Sequence, residues 1–452
     1  MDNKKNKKAK LIYELYRANH LEEAVLQLEN IIATEPENPD LLNLLGTILL
    51  DLGELERAAR CFKKAFQRDP ENSSYTNSLC ETMFKIAQNF FKNNEYSSAI
   101  NELNKLIKLN PKHPHVHNFL GTCFQKTGEI QFAIDNYTAA IKQDPTNHAI
   151  YNNLGILLAE IEENELAIIQ LRKALEIKPE MIEVKQNLAH LLKRVGNVEE
   201  AIKIYREILE IQPHNSKITV AINALQAITP KKMSNEYVTD LFDNYATHYD
   251  DQYYGYLKNR TPNLIETFIR RYDSGYKATK GIDLGCGTGK CGEAFRERVK
   301  NLVGIDLSRE MLAVARQKNI YKSLIIGDFC KFLRTDKSYY DLVVASDVFF
   351  YVGDLDELFE LVRLRCSEDA IFAFSTEHTN QKGYKLLTSS RYAHSLKYVR
   401  GISRKYGFHE LHFSVESLRE EKGEWIQGGI YILQKKNLKF GKKAELLLEN
   451  DV

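Results

Sequence analysis

The chain of 452 residues has one tryptophan, ten prolines and no proline after Pro262. No stretch approaches the ~18 consecutive apolar residues that a membrane-spanning helix needs. The start, MDNKKNKKAK, lacks the apolar region of a signal peptide. Seven cysteines, odd in number and with no C-x-x-C pair, argue against a disulfide framework and suit reduced thiols. Net charge is nearly absent too: 62 basic side chains face 61 acidic ones, so no whole-chain field draws nucleic acid or an anionic membrane. A cytoplasmic protein with neither partner is expected. What is present is ordinary: hydrophobic residues at 43% and charged residues at 27% are globular averages, and the length allows about three domains' worth of material.

The first half is periodic. Prolines at 36, 70, 111, 145, 179 and 213 are spaced by 34, 41, 34, 34 and 34 residues, an internal repeat. Twelve residues before each stands an alanine: Ala24, Ala58, Ala99, Ala133, Ala167 and Ala201. Gly46, Gly121 and Gly155 lie twenty-four residues before their own prolines. Each unit reads as two amphipathic helices that cross closely at the glycine and end at the proline. The longer interval predicts an inserted turn or a longer helix around Glu71-Asn72-Ser73-Ser74, and Ser216 to Thr229 is expected to cap the array. This pattern resembles tetratricopeptide repeats, and the resemblance implies an α-solenoid whose groove binds a protein or peptide partner. Asn43, Asn118, Asn152 and Asn187 lie on or beside one row of first helices, and amides there could hold a partner's backbone or simply cap and solvate the helices. His113, His115 and His117 alternate around Pro114 without the i, i+4 spacing of helical ligands, so no metal site is expected.

The second half switches period. Gly281-Ile282-Asp283-Leu284 runs into Gly285-Cys286-Gly287-Thr288-Gly289 and then a charged, helix-like stretch from Lys290 to Lys300. Strand, glycine turn and helix form a cradle for an anionic or polar ligand. Val303-Gly304-Ile305-Asp306 ends in an acid suited to paired ribose hydroxyls. Gly287-x-Gly289-x-x-Gly292 also matches a nicotinamide fingerprint, but the strand runs directly into Gly285, which sets a different register. D-L-G-C-G-T-G resembles motif I of class I S-adenosylmethionine-dependent methyltransferases. Leu324 to Phe329, Tyr340 to Val348, Ala370 to Phe374, and a closing pair over Phe408 to Val415 and Trp425 to Leu433 look like that family's later strands.

The whole chain resembles predicted methyltransferases with N-terminal tetratricopeptide repeats. The expected fold is an all-α solenoid of six repeats plus a cap at 1–230, followed by an α/β Rossmann-like domain at 231–436. That domain should be a mostly parallel seven-stranded sheet with an antiparallel C-terminal hairpin, and 437–452 a tail. The resemblance implies S-adenosylmethionine as cofactor, held by Asp283, Gly285, Gly287, Gly289, Asp306, Leu307, Asp328 and Phe329, with Asp347 at its methyl end and Tyr249, in the lead-in from Tyr237 to Asp250, as a cover. Methyl transfer needs alignment more than any one catalytic group. His394 is the expected general base, Asp347 its companion, and Tyr351, Arg391 and Tyr398 the expected substrate contacts. The tip Ser346-Asp347-Val348-Phe349 lacks the Asp- or Asn-Pro-Pro-aromatic pattern of enzymes that methylate planar amino groups, which favours oxygen or a non-amide nitrogen as acceptor. Two other classes fit less well: a non-catalytic scaffold that binds the cofactor, and a nicotinamide-linked oxidoreductase.

Overall fold

A computed structural model describes residues 11–35, 38–421 and 423–436. Pro36, the lysine-rich start and the tail after residue 436 lie outside the described residues. The chain divides by its contacts into two compact units, 1–205 and 206–452, so the division falls within the helix Val198–Ile211.

The first unit is a succession of paired helices. Leu21–Ile32 follows a helix at 11–17; Pro39–Asp51 pairs with Leu55–Arg68, Val116–Thr127 with Ile130–Gln143, and His148–Glu160 with Asn164–Ile177. The repeat signature has a direct packing cause. All six phased alanines are fully buried. A Cβ added at Gly121 would lie 2.7 Å from the Tyr137 ring, and one at Gly46 2.7 Å from Phe62, so the glycine lets a large side chain of the second helix sit against the first helix's backbone. The seven extra residues lengthen one helix: Ser73–Lys92 has 20 residues, where His148–Glu160 has 13. Asn72 caps it by accepting the Ser74 N–H.

The asparagine row is spent largely on itself. Asn153 donates to Asn118 Oδ1 at 3.1 Å and Asn187 to Asn152 Oδ1 at 3.0 Å, each across 35 residues, so these amides tie one repeat to the next. Asn43 Oδ1 is buried without a partner. His113 is buried against the Phe84 ring, its Nε2 3.4 Å from Glu81.

The second unit is built on a nine-stranded sheet. Its strands are β1 (Ala278–Leu284), β2 (Val299–Asp306), β3 (Ser323–Ile326), β4 (Tyr340–Ala345), β5 (Cys366–His378), β6 (Tyr384–Leu386), β7 (Tyr392–His394), β8 (Phe408–Glu421) and β9 (Glu424–Lys435). The order is β3-β2-β1-β4-β5-β7-β6, with β9 antiparallel to β5 and β8 antiparallel to β9. β1 to β5 are parallel, and Leu342 to Ala345 of β4 are fully buried, as a strand covered on both faces requires. Two features depart from the sequence reading. The charged stretch after the glycine turn is helical only over Lys290–Phe295 before β2 begins at Val299. The short pair β6 and β7 extends the expected seven strands to nine, and three-residue strands carry too little alternation to be read from sequence.

The helix Ser216–Leu225 belongs to this second unit. Val220 and Ala224 share an apolar cluster with Met233, Tyr237, Leu386 and Tyr392. The following segment is stitched down by hydrogen bonds: Tyr392 donates to the Pro230 carbonyl, and Gly353 and Asp354 donate to that of Lys231.

Candidate cofactor and acceptor site

Parallel strands deliver their C-terminal ends to one edge of the sheet, and ligands of open α/β sheets bind there. Gly285 leaves β1 at φ +69°, and a Cβ on it would lie 2.6 Å from a Val348 methyl. Only glycine fits both the backbone angle and the space. The turn then places the Gly287 N–H 2.8 Å from Asp306 Oδ2 at the tip of β2, while Ser308 N–H reaches Oδ1 at 2.9 Å. Burial pushes the Asp306 carboxyl up, against these backbone donors, which favour its charged form.

Asp328 follows β3 and caps the helix Phe329–Thr335 by accepting the Cys330 and Lys331 N–H groups. Its other oxygen takes the Lys232 ammonium and the Asn235 amide, both at 3.2 Å. Desolvation opposes ionisation here, but the Lys331 N–H and these two partners prevail and hold the carboxyl below its ordinary value. Asp347, beyond β4, adopts φ +61°, rare for a side chain other than glycine. Its N–H donates to Ser375 Oγ at 2.9 Å and its Oδ2 accepts the Asn259 amide at 2.9 Å; burial raises its pKa.

These tips open into one cleft of about 1000 Å³, its open mouth included. Gly285, Gly287, Asp306, Leu307, Asp328 and Phe329 line it. Asp347, Tyr351 and Tyr249 line it as well. Tyr249 stacks on Tyr253 at 4.8 Å, on a lead-in fastened by two carboxylates: Asp250 accepts Thr288 Oγ1 at 2.5 Å and Lys318 Nζ at 2.7 Å, and Asp243 accepts Ser308 Oγ at 2.5 Å.

Other expected residues lie elsewhere. Asp283 is fully buried behind the turn, with Tyr321 donating to its Oδ2 at 2.7 Å and Oδ1 unpartnered. Gly289 faces Tyr321 and Ala315 rather than the cleft. Tyr398 is a brace, its hydroxyl accepting the Leu355 N–H and donating to Asp354. His394, the expected general base, is fully buried in β7. Its Nε2 donates to the Gly353 carbonyl at 2.9 Å, and burial lowers its pKa to about 4. It does not line the cleft, so the structure does not bring it to the reacting end. Arg391 stands beside Tyr351, paired with Glu421.

Lys232, Met233, Asn235 and Phe242 line the cleft without having been singled out from sequence. They precede the first strand, in segments without glycine or motif spacing; Phe242 lies within the lead-in itself, and the only signal for the other three was their nearness to it. Arg419 was also missed: a β-bulge between Ser417 and Arg419 buries Leu418 and Arg419 together, which simple alternation would not give.

Asp283 carries a pH signature. Desolvation pushes its pKa up to about 7, above the ~3.9 of an unfolded aspartate. Between those values the folded state holds a proton that the unfolded chain releases, so this residue's contribution is full below pH ~4 and falls as pH rises through about 7. The span corresponds to on the order of 4 kcal/mol. Asp283→Asn is expected to flatten that slope; urea midpoints at several pH values should converge for the variant and diverge for the parent.

Residues 282–374 match the family described as a methyltransferase domain. Residues 15–79, 81–113, 136–169 and 182–215 match tetratricopeptide repeat families. The chain thus carries tetratricopeptide repeats and a methyltransferase domain. Among similar curated proteins, the ubiquinone biosynthesis O-methyltransferase of Glaesserella parasuis is 27% identical over 128 residues, 26% of this chain and 54% of that protein. The biotin biosynthesis bifunctional protein of Saccharophagus degradans is 31% identical over 99 residues, 22% of this chain and 16% of that protein. The match therefore spans about half of the first relative and a small part of the second. Magnesium protoporphyrin IX methyltransferase from Synechocystis, solved with S-adenosylhomocysteine, aligns at 15% identity with a TM-score of 0.36 over 45% of this chain and 99% of its own.

Proposed function

We propose that residues 231–436 transfer a methyl group from S-adenosylmethionine to an acceptor, and that residues 1–230 hold a protein or peptide partner. The observation that carries this is the set of three acid-bearing strand tips around one cleft: Asp306, fixed by the Gly287 and Ser308 N–H groups, Asp328 and Asp347. In this reading Asp306 binds the ribose hydroxyls, Asp328 the adenine amino group, Phe329 the adenine face, and Gly285, Gly287 and Leu307 the backbone around them. The bound cofactor supplies an electrophilic methyl; the protein aligns acceptor and methyl ~3–3.5 Å apart and excludes water with the lead-in that carries Tyr249.

Asp283 and Gly289 support the cradle from behind. The O-methyltransferase relative supports oxygen as the acceptor atom. Half-buried Asn118 and Asn187 and buried Asn152, with Asn43, keep their proposed place in partner binding, though the bonds of Asn118, Asn152 and Asn187 already serve the stacking of repeats. Free cysteines throughout the described chain, and the lack among the described residues of any helix long and apolar enough to cross a membrane, are compatible with a cytoplasmic location.

Titration calorimetry with S-adenosylhomocysteine and with NAD tests the cofactor half. Saturable binding of the first and none of the second is expected. The reverse would replace the proposal with an oxidoreductase, and binding without any methyl transfer in an extract would leave a scaffold.

A further inference from the structure

Beyond the methyl end of the cleft lies a charged group that cofactor binding does not use. Arg419, on β8, is fully buried. It donates to Glu377 at the end of β5 and, through Nε at 2.7 Å, to Glu421, while its guanidinium lies 4.7 Å from the centre of the Phe350 ring. Its Nη1 has no hydrogen-bond partner. Arg391 joins the same pair of glutamates, bonded to Glu421 and 3.7 Å from Glu377, and is still 22% exposed. Tyr351, which lines the cleft, stands beside Arg391, and Asp347 lies within electrostatic reach of Arg419. Two guanidiniums, from β8 and from the loop before β7, therefore meet beyond the C-terminal ends of β4 and β5, behind the cleft wall that Tyr351 forms and without lining the cleft themselves.

We propose that this group receives an acceptor that carries a carboxylate, and that the carboxylate oxygen itself takes the methyl group; the proposal rests on the methyltransferase reading above. An ammonium acceptor would have to give up a proton before its lone pair could attack, and Arg391, the exposed member of the group, can only donate. A hydroxyl acceptor would have to lose a proton, and the side chains at hand suit that poorly. His394 is turned into β7, and the oxygens of Asp347 already take the Asn259 amide and the Ser346 and Ser375 hydroxyls. A carboxylate needs no base. One of its oxygen lone pairs forms the C–O bond, the C–S bond breaks with its electron pair staying on sulfur, and carboxylate and sulfonium charges cancel. The products are a methyl ester and a neutral thioether, with no proton released. The two glutamates neutralise the two arginines in the free protein; Arg391, the exposed member, is the one that can turn to the acceptor, while buried Arg419 keeps the two glutamates in place.

The test uses the full chain, S-adenosylmethionine tritiated on the methyl group, and the acidic small-molecule and protein fractions of a cell extract. Mild base releases tritiated methanol from a methyl ester and leaves ethers and N-methyl groups intact. Base-released label is expected, and Arg391→Gln should raise the KM for the acceptor fraction about 100-fold with the Kd for S-adenosylhomocysteine unchanged; Arg391→Lys should recover part of the loss. Label that survives base, no base-released label from any fraction, or an unchanged KM in Arg391→Gln would overturn the carboxylate assignment while S-adenosylhomocysteine still binds. Failure of S-adenosylhomocysteine to bind would instead overturn the methyltransferase reading on which it rests.

Discussion

Replacing Asp306 with alanine is expected to weaken S-adenosylmethionine binding by two to three orders of magnitude while the protein stays folded. The carboxylate stands at the tip of β2, oriented by the Gly287 and Ser308 N–H groups. Those two bonds leave its outer lone pairs for a ribose. Each hydrogen bond to a charged, buried acceptor contributes about 1.5–3 kcal/mol, so losing a pair costs about 3–4 kcal/mol, or 10²- to 10³-fold in Kd. Asp306→Asn is a sharper control: it keeps the shape, but its amide N–H₂ must face either a backbone N–H or the ribose. Calorimetry with both variants decides the matter, and wild-type affinity in Asp306→Ala would remove this residue from the site.

Arg419→Ala is expected to be the most destabilising single change in the second unit. It would leave Glu377, 6% exposed, as a buried charge without its main partner, and breaking a buried pair from one side costs about 3–5 kcal/mol. That corresponds to a drop in melting temperature of roughly 10 °C for a unit of this size. The double change Arg419→Met with Glu377→Gln should recover much of the loss, because it removes both charges and keeps most of the volume. Thermal melts followed by the shift that S-adenosylhomocysteine induces would report on this unit alone. An Arg419→Ala protein that melts with the parent would mean that water or a rearranged Arg391 already covers Glu377.

The parts of the fold that could be read in advance are those in which one residue type answers one physical demand. Gly121 and Gly155 had to be small because Tyr137 and Leu171 press on their backbones. Gly285, Asp306 and Asp328 announced themselves by spacing because strand, turn and acid must follow in fixed order. The acceptor end had no such grammar. His394 looked available as an imidazole near neutral pH, but a three-residue strand turned it inward, and Arg419 was hidden by a bulge that changes which residues face the core. Lys232 and Asn235 reach Asp328 across more than ninety residues of sequence, a pairing that no local pattern encodes. The same holds for Arg391, whose partners, Glu421 and Tyr351, come from other segments.

The packing of Ser216–Leu225 against Leu386 and Tyr392 has a consequence for how such a catalyst can be recombined. A chain cut at Pro230 would carry away Val220 and Ala224 and leave Tyr237, Leu386 and Tyr392 facing water, and it would sever the backbone that Gly353 and Asp354 lean on. Residues 216–233 pack as part of the second unit even though Ser216 to Thr229 continue the repeat phase in sequence. Shuffling repeat arrays between related enzymes would therefore succeed at junctions before Ser216 and fail at the proline, where the eye would first place the scissors.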